Sequence, residues 1–175
     1  VLYVTLSPFQ VENSASLYYA NHYENNKQEI DFLSYKEFLE TLRIIGGREL
    51  DFQAFEQWLH PRSMSFGIRD GHQLFEEFRG VLTGRDITKE YLDLEDYLAL
   101  GIKQSIFLSG ERKKVYVAFE RYLEFLGEND RYDLNMVSFK WLEYCTPRYD
   151  FIVIDEVQDF TNIQLYLLLS CLKNK

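Results

Sequence analysis

A chain of 175 residues with 46% hydrophobic and 17% aromatic content has enough apolar surface for one ordinary core or two small ones, which excludes intrinsic disorder. Its 28 acidic and 19 basic residues leave a net charge of -9, which argues against a dominant nucleic-acid patch, although a local basic face can survive a negative total. No apolar run approaches the roughly 20 residues of a membrane span, and no basic segment precedes the first apolar one, so neither membrane insertion nor export is expected.

The first six residues, VLYVTL, are β-branched and apolar and read as a buried strand. Ser7 then suits a helix N-cap and Pro8 the first helical position, which predicts a helix running to about Tyr23, followed by a loop over ENNKQE. From residue 30 to residue 148 the pattern is almost purely helical. Ser34 and Glu37 form a capping box ahead of YKEFLETLRII, which Gly46 and Gly47 end. Asp51 caps FQAFEQWLH up to Pro61, and PRSMSFGIRD reads as a loop. Asp70 caps GHQLFEEFRGVL, with Gly84 beyond its end, and Thr88 or Asp93 opens a short helix around EDYLALG. Ser109 precedes the longest helix, Gly110 to Leu126, with Val115, Phe119, Tyr122 and Leu126 on one stripe. Asp133 caps LNMVSFKWLEY, and Pro147 closes it.

Tyr149 to Asn162 read YDFIVIDEVQDFTN. The unbroken apolar run Phe151 to Ile154 predicts a strand buried on both faces, and it ends in Asp155, Glu156, Gln158 and Asp159. An acidic cluster at the carboxyl end of a buried parallel strand lies where open α/β sheets bind ligands. One carboxylate there can hold a hard cation such as Mg²⁺ and its neighbour can orient or deprotonate a water. The alternative for the same residues is a core strand followed by a solvated acidic turn.

IVIDEVQDFTN resembles the Walker B box, motif II, of superfamily 1 UvrD/Rep-like helicases, whose DExQD core is followed by a small polar pair. That resemblance implies that Asp155 coordinates the Mg²⁺ of bound ATP, that Glu156 positions the hydrolytic water, and that Gln158 and Asp159 couple the nucleotide site to neighbouring motifs. The opening strand and helix are similar to motif Ia, with Thr5 and Ser7 at its polar positions. Leu6 replaces a base-stacking aromatic there, and Pro8 and Phe9 replace Asn and Lys. The helical stretch between resembles the accessory 1B insertion of the branch that includes large tetratricopeptide and ankyrin repeat proteins, through Tyr97, Ser105, Arg112, Tyr116 and Tyr122. The fold so implied is mostly α with a minimal parallel β element, a partial RecA-like P-loop NTPase domain with an all-helical insertion. Residues 1–29 would carry the motif Ia strand and helix, 30–148 the 1B-like subdomain, and 149–175 the Walker B strand with its following helix. Single-stranded or partly duplex nucleic acid, DNA first, and the remainder of the helicase core are the implied partners.

Arg112, Lys113 and Lys114 form the only compact basic triplet, with Lys103 nearby. They are either a solvated face or a phosphate-contacting patch. Phe75, Phe78, Phe119, Tyr122, Phe125, Phe139 and Trp141 recur at helical spacing, as core residues do. His22, His60 and His72 lack a partner at metal-ligand spacing, and so do Cys145 and Cys171, which read as buried thiols of a reducing, intracellular compartment, cytoplasmic or nuclear. No G-x-x-x-x-G-K-[ST] loop is present, so the chain is expected to be a fragment that carries the acidic pair and does not hydrolyse ATP alone. Two other functions stand beside this one. A non-catalytic interaction module derived from a degenerate helicase domain would suit the acidic charge and altered motif Ia. A metal-dependent nuclease would use Asp150, Asp155, Glu156 and Asp159, although no lysine follows at short range.

Overall fold

The computed structural model describes residues 1–21, 28–68 and 70–173. His22, Tyr23 and residues 24–27 of the expected loop lie outside these, as do Arg69 and residues 174–175. In chain order the elements are β1 (Leu2–Thr5), α1 (Pro8–Ala20), β2 (Asp31–Ser34), α2 (Tyr35–Leu42), β3 (Arg48–Glu49), α3 (Phe52–Leu59) and α4 (Ser63–Phe66). They continue with α5 (Gly71–Glu77), a π turn over Phe78–Leu82, α6 (Leu94–Ala99), α7 (Arg112–Glu128), β4 (Arg131–Tyr132), α8 (Leu134–Trp141), β5 (Ile152–Ile154) and α9 (Asn162–Ser170). The chain is 58% helical with a small three-stranded parallel sheet, and it divides into two compact units.

The first unit joins Val1–Ile45 to Lys140–Lys175. Its sheet has the order β2-β1-β5, all parallel, with Leu2 opposite both Asp31 and Ile152. The expected pairing of the two apolar runs is therefore present. β1 is central and its Leu2 and Val4 are fully buried, as an apolar β-branched run requires. Ser7 caps α1 as expected, its Oγ accepting from the Gln10 backbone N–H at 3.4 Å.

Two expectations need correcting here. The segment from residue 30 does not open as helix, because Asp31–Ser34 is a third strand hydrogen-bonded along β1. Ser34 ends that strand and caps α2 at once: its backbone N–H donates to Glu37 Oε2 at 2.7 Å, while its Oγ accepts from Glu37 N at 3.3 Å. β5 is also not buried on both faces. It is an edge of the sheet, Ile152 and Ile154 are half-buried, and Phe151 and Val153 are 68% and 50% exposed.

The second unit is Gly46–Phe139. Phe55, Trp58, Phe78, Phe119 and Tyr122 form its aromatic core, with the Phe78 ring 5.1 Å from both Phe119 and Tyr122. Phe75 and Phe125 pack against that core, which agrees with a packing role for the aromatic stripe. Pro61 does not end the helical run begun at α3. It occupies the first turn of a 3₁₀ segment, where its missing N–H is no loss, and the run continues through α4 to Gly67 at φ 65°. A short parallel ladder, Arg48 with Arg131 and Glu49 with Tyr132, closes the unit and was not foreseen. At its start Gly47 takes φ 83° with its α-carbon against the Asp130 carbonyl, where a β-carbon would sit 2.5 Å from that oxygen. α7 begins at Arg112, after a turn that neither Ser109 nor Gly110 opens as helix.

Candidate functional site

β1 and β5 run parallel and end level, Val4 lying opposite Ile154, so Thr5 and Asp155 emerge from the same carboxyl edge. The Asp155 backbone N–H donates to the Val4 carbonyl at 2.9 Å, which extends the ladder to the first acidic residue. The chain then turns sharply. Glu156 takes φ 52° and ψ 47°, a left-handed conformation that an L side chain adopts at a cost of about 1–2 kcal/mol. A 3₁₀ turn, Val157–Asp159, follows, closed by the Asp159 N–H on the Glu156 carbonyl at 2.9 Å. Phe160 is buried, its ring edge-on to Tyr35 at 5.5 Å, and this anchors the far side of the turn.

Asp155 is half-buried and both of its oxygens accept hydrogen bonds. Oδ2 accepts from the Tyr3 hydroxyl at 2.6 Å and Oδ1 from the Glu156 backbone N–H at 3.0 Å. Tyr3 in turn contacts Ser14 Oγ at 2.9 Å. Burial first, then the hydrogen bond to the Asp155 carboxylate, holds the Tyr3 phenol above its ordinary pKa, so it remains a donor. Glu156, Gln158 and Asp159 are exposed, and the Gln158 amide donates to the Glu156 carboxylate. Tyr3 is a site residue that sequence reasoning missed. Its signal was a hydroxyl-bearing aromatic inside an otherwise apolar strand destined to neighbour β5.

The donor set fits a hard cation. A carboxylate offers roughly four lone-pair sites, and the two hydrogen bonds to Asp155 leave others free. Among the described residues no group of three or more His, Cys, Asp or Glu side chains gathers at metal-holding range. The edge therefore presents one or two carboxylates, the number with which Mg²⁺ is held when substrate phosphates complete its shell. The four-carboxylate nuclease arrangement is not formed. Asp150 precedes the opposite end of β5 and pairs with Lys173 at 3.0 Å, so the whole strand separates it from Asp155.

The residues expected to touch nucleic acid are differently disposed. Thr5 is buried, its hydroxyl donating to Gln10 Oε1 at 2.8 Å, and Ser7 is occupied as the α1 cap. Arg112 does not share a surface with Lys113 and Lys114: it is 1% exposed. Its guanidinium donates to the carbonyls of Leu98, Leu100, Gly101 and Phe107, and so replaces the ladder that this irregular segment lacks. Successive helical positions point about 100° apart, so three basic neighbours cannot share one face. Lys103, Lys113 and Lys114 are exposed.

Tyr97, Ser105 and Tyr122, singled out in the sequence, are buried or half-buried in hydrogen-bond networks. Tyr97 donates to the buried Glu77 carboxylate at 2.6 Å, and Ser105 Oγ and the Ile106 N–H complete that group's shell. Tyr122 donates to Asp133 Oδ2 at 2.9 Å, and the Asn135 and Met136 N–H groups bond Oδ1. Burial raises the Asp133 carboxyl above its ordinary pKa against the lowering effect of those bonds. Among the described residues the second unit also presents a half-open cavity of about 280 Å³, lined by Ile68, Asp70, Phe107, Glu111, Lys114 and others. No helix among the described residues is long and apolar enough to cross a membrane. Comparison with family models, with curated proteins and with solved structures returns no match.

Proposed function

We propose that the chain supplies the Walker B edge and the helical insertion of an ATP-driven, UvrD/Rep-type nucleic-acid helicase or translocase, within a RecA-like domain. One observation carries this: an acidic pair on a tight turn at the level carboxyl ends of two parallel strands, with Asp155 fixed by Tyr3. Asp155 would hold Mg²⁺, which neutralises charge on the transferring phosphoryl group when bound. Tyr3 and the Glu156 N–H hold the Asp155 carboxylate in one orientation, so little side-chain freedom is lost on ligation. Glu156, exposed on the left-handed turn, orients the attacking water and accepts its proton, and Gln158 restrains that carboxylate. Asp159 would couple the edge to neighbouring motifs. Lys103, Lys113 and Lys114 are the remaining candidates for phosphate contacts with DNA.

Phosphoryl transfer requires a phosphate-cradling loop and its lysine, which these 175 residues do not contain. Phosphate release by the isolated chain should therefore equal a buffer blank. In a full-length protein that joins this chain to such a loop, Glu156→Gln should abolish turnover and spare nucleotide binding. Turnover unaffected by Glu156→Gln would refute the assignment. A non-catalytic interaction module is favoured by a separate observation: Phe9, where motif Ia has a cation, is 70% exposed and makes the strand-to-helix turn apolar. A full-length protein that binds no nucleotide would establish that second reading.

A further inference from the structure

We infer that Cys145 and Cys171 are a redox-active dithiol whose disulfide closes the acidic edge of the first unit into a covalent loop. No disulfide joins the two cysteines, yet their sulfurs lie 2.6 Å apart although they stand 26 positions apart in sequence. The backbone around them is already laced together. Arg148 N and Tyr149 N donate to the Cys171 carbonyl at 2.9 and 3.1 Å, Lys173 N donates to the Tyr149 carbonyl at 2.9 Å, and Tyr149 bridges Leu172 in parallel. The Cys145 thiol also reaches the Leu167 carbonyl at 3.7 Å, so it is directed onto α9. The two sulfurs are thus already within reach of each other across a backbone tied together by hydrogen bonds. The span between the cysteines contains β5, the Asp155 to Asp159 turn and α9, so the bond would enclose the acidic part of the candidate site.

The two cysteines differ in access, which sets the order of events. Cys145 is half-buried, while Cys171 is fully buried. The oxidant is a low-molecular-weight disulfide of the oxidised-glutathione class. The Cys145 thiolate attacks one of its sulfurs, forming a mixed disulfide and releasing one thiol. The Cys171 thiolate then attacks Cys145 Sγ, forms the Sγ–Sγ bond and expels the second thiol. Two protein thiols are oxidised, one external disulfide is reduced, and the two protein protons end on the two released thiols. A dithiol reductant reverses both steps.

Native protein incubated with oxidised glutathione should lose the mass of two hydrogens with no retained adduct, and proteolysis should yield one peptide pair joined through Cys145 and Cys171. Dithiothreitol should restore the original mass. The oxidised form should melt several degrees higher, since the bond restricts the unfolded chain. Cys171→Ser should stop at a single glutathione adduct on Cys145, and Cys145→Ser should stay unmodified because Cys171 is shielded. Wild-type protein that remains unmodified, ends as a stable mixed disulfide, or links into dimers would overturn the inference, and this readout needs no variant to fold.

Discussion

Replacing Arg112 tests whether the second unit is held by an internal guanidinium or merely decorated by a basic surface. The side chain is 1% exposed and donates to four backbone carbonyls, Leu98, Leu100, Gly101 and Phe107. It also lies 5.9 Å from the centre of the Tyr97 ring. Hydrogen bonds from a charged donor contribute about 1.5–3 kcal/mol each, but those sharing one side chain do not add. Arg112→Ala removes all of the donors, empties the buried space of the side chain and takes the partner from part-buried carbonyls, for which about 3–5 kcal/mol is the scale. For a chain of 175 residues that corresponds to a fall in melting midpoint of about 10 °C. Arg112→Lys keeps the charge and loses the fork, so it should cost less, about 1.5–3 kcal/mol. Lys113→Ala and Lys114→Ala, both exposed, should change stability by no more than about 0.5 kcal/mol. Urea denaturation of the four variants decides the matter: an Arg112→Ala midpoint equal to that of Lys113→Ala would refute the structural role.

Other perturbations have equally definite outcomes. Gly47→Ala puts a β-carbon 2.5 Å from the Asp130 carbonyl at φ 83° and should destabilise by about 2–3 kcal/mol in urea melts, whereas Gly46→Ala, with open space around it, should be near neutral. The Asp133 carboxyl is raised by burial, so the folded state binds more protons from about pH 3.9 up to its raised pKa, and its contribution to stability falls as pH rises through that window. Asp133→Asn should therefore gain on the wild type with rising pH across that range, and a flat difference would exclude the linkage. Fluorescence anisotropy with single-stranded oligonucleotides should show weak, salt-sensitive binding, and Lys113→Glu with Lys114→Glu should lower the log–log salt slope by about 1.4 if both contact phosphates.

The parts of the fold legible in the sequence were those written in local chemistry. Ser7, Asp51, Asp70 and Asp93 each cap the helix they precede, because a short polar acceptor before an apolar period has few other uses. The β1–β5 pairing followed from two apolar runs with acids at the end of one. β2 was obscured because its last residue, Ser34, is also a helix cap, and four residues reading DFLS carry too little alternation to announce a strand. The exposure of Phe151 and Val153 was illegible for a different reason: an apolar strand states its preference for cover and not whether cover is present. Arg112 was misplaced because sequence adjacency to Lys113 and Lys114 says nothing about helical face. Its clue was the stretch from the end of α6 to Phe107, whose irregular backbone takes donors from elsewhere.

The two units use their charged groups in opposite ways, and this bears on where chemistry can occur. In Gly46–Phe139 the buried Glu77, Arg112 and Asp133 are satisfied by hydroxyls, amides and carbonyls of the same unit, which leaves them engaged in holding irregular backbone. At the end of β5 the reverse holds. The backbone is fixed from both sides, by Asp155 N on Val4 before the turn and by buried Phe160 against Tyr35 after it, while the Glu156 carboxylate remains in solvent. A left-handed non-glycine residue persists only where its surroundings over-determine it. Glycine would relieve the conformational cost at position 156 and remove the carboxylate. Glu156 carries that cost beside a carboxylate that Tyr3 orients, and this is the arrangement on which the proposed nucleotide site rests.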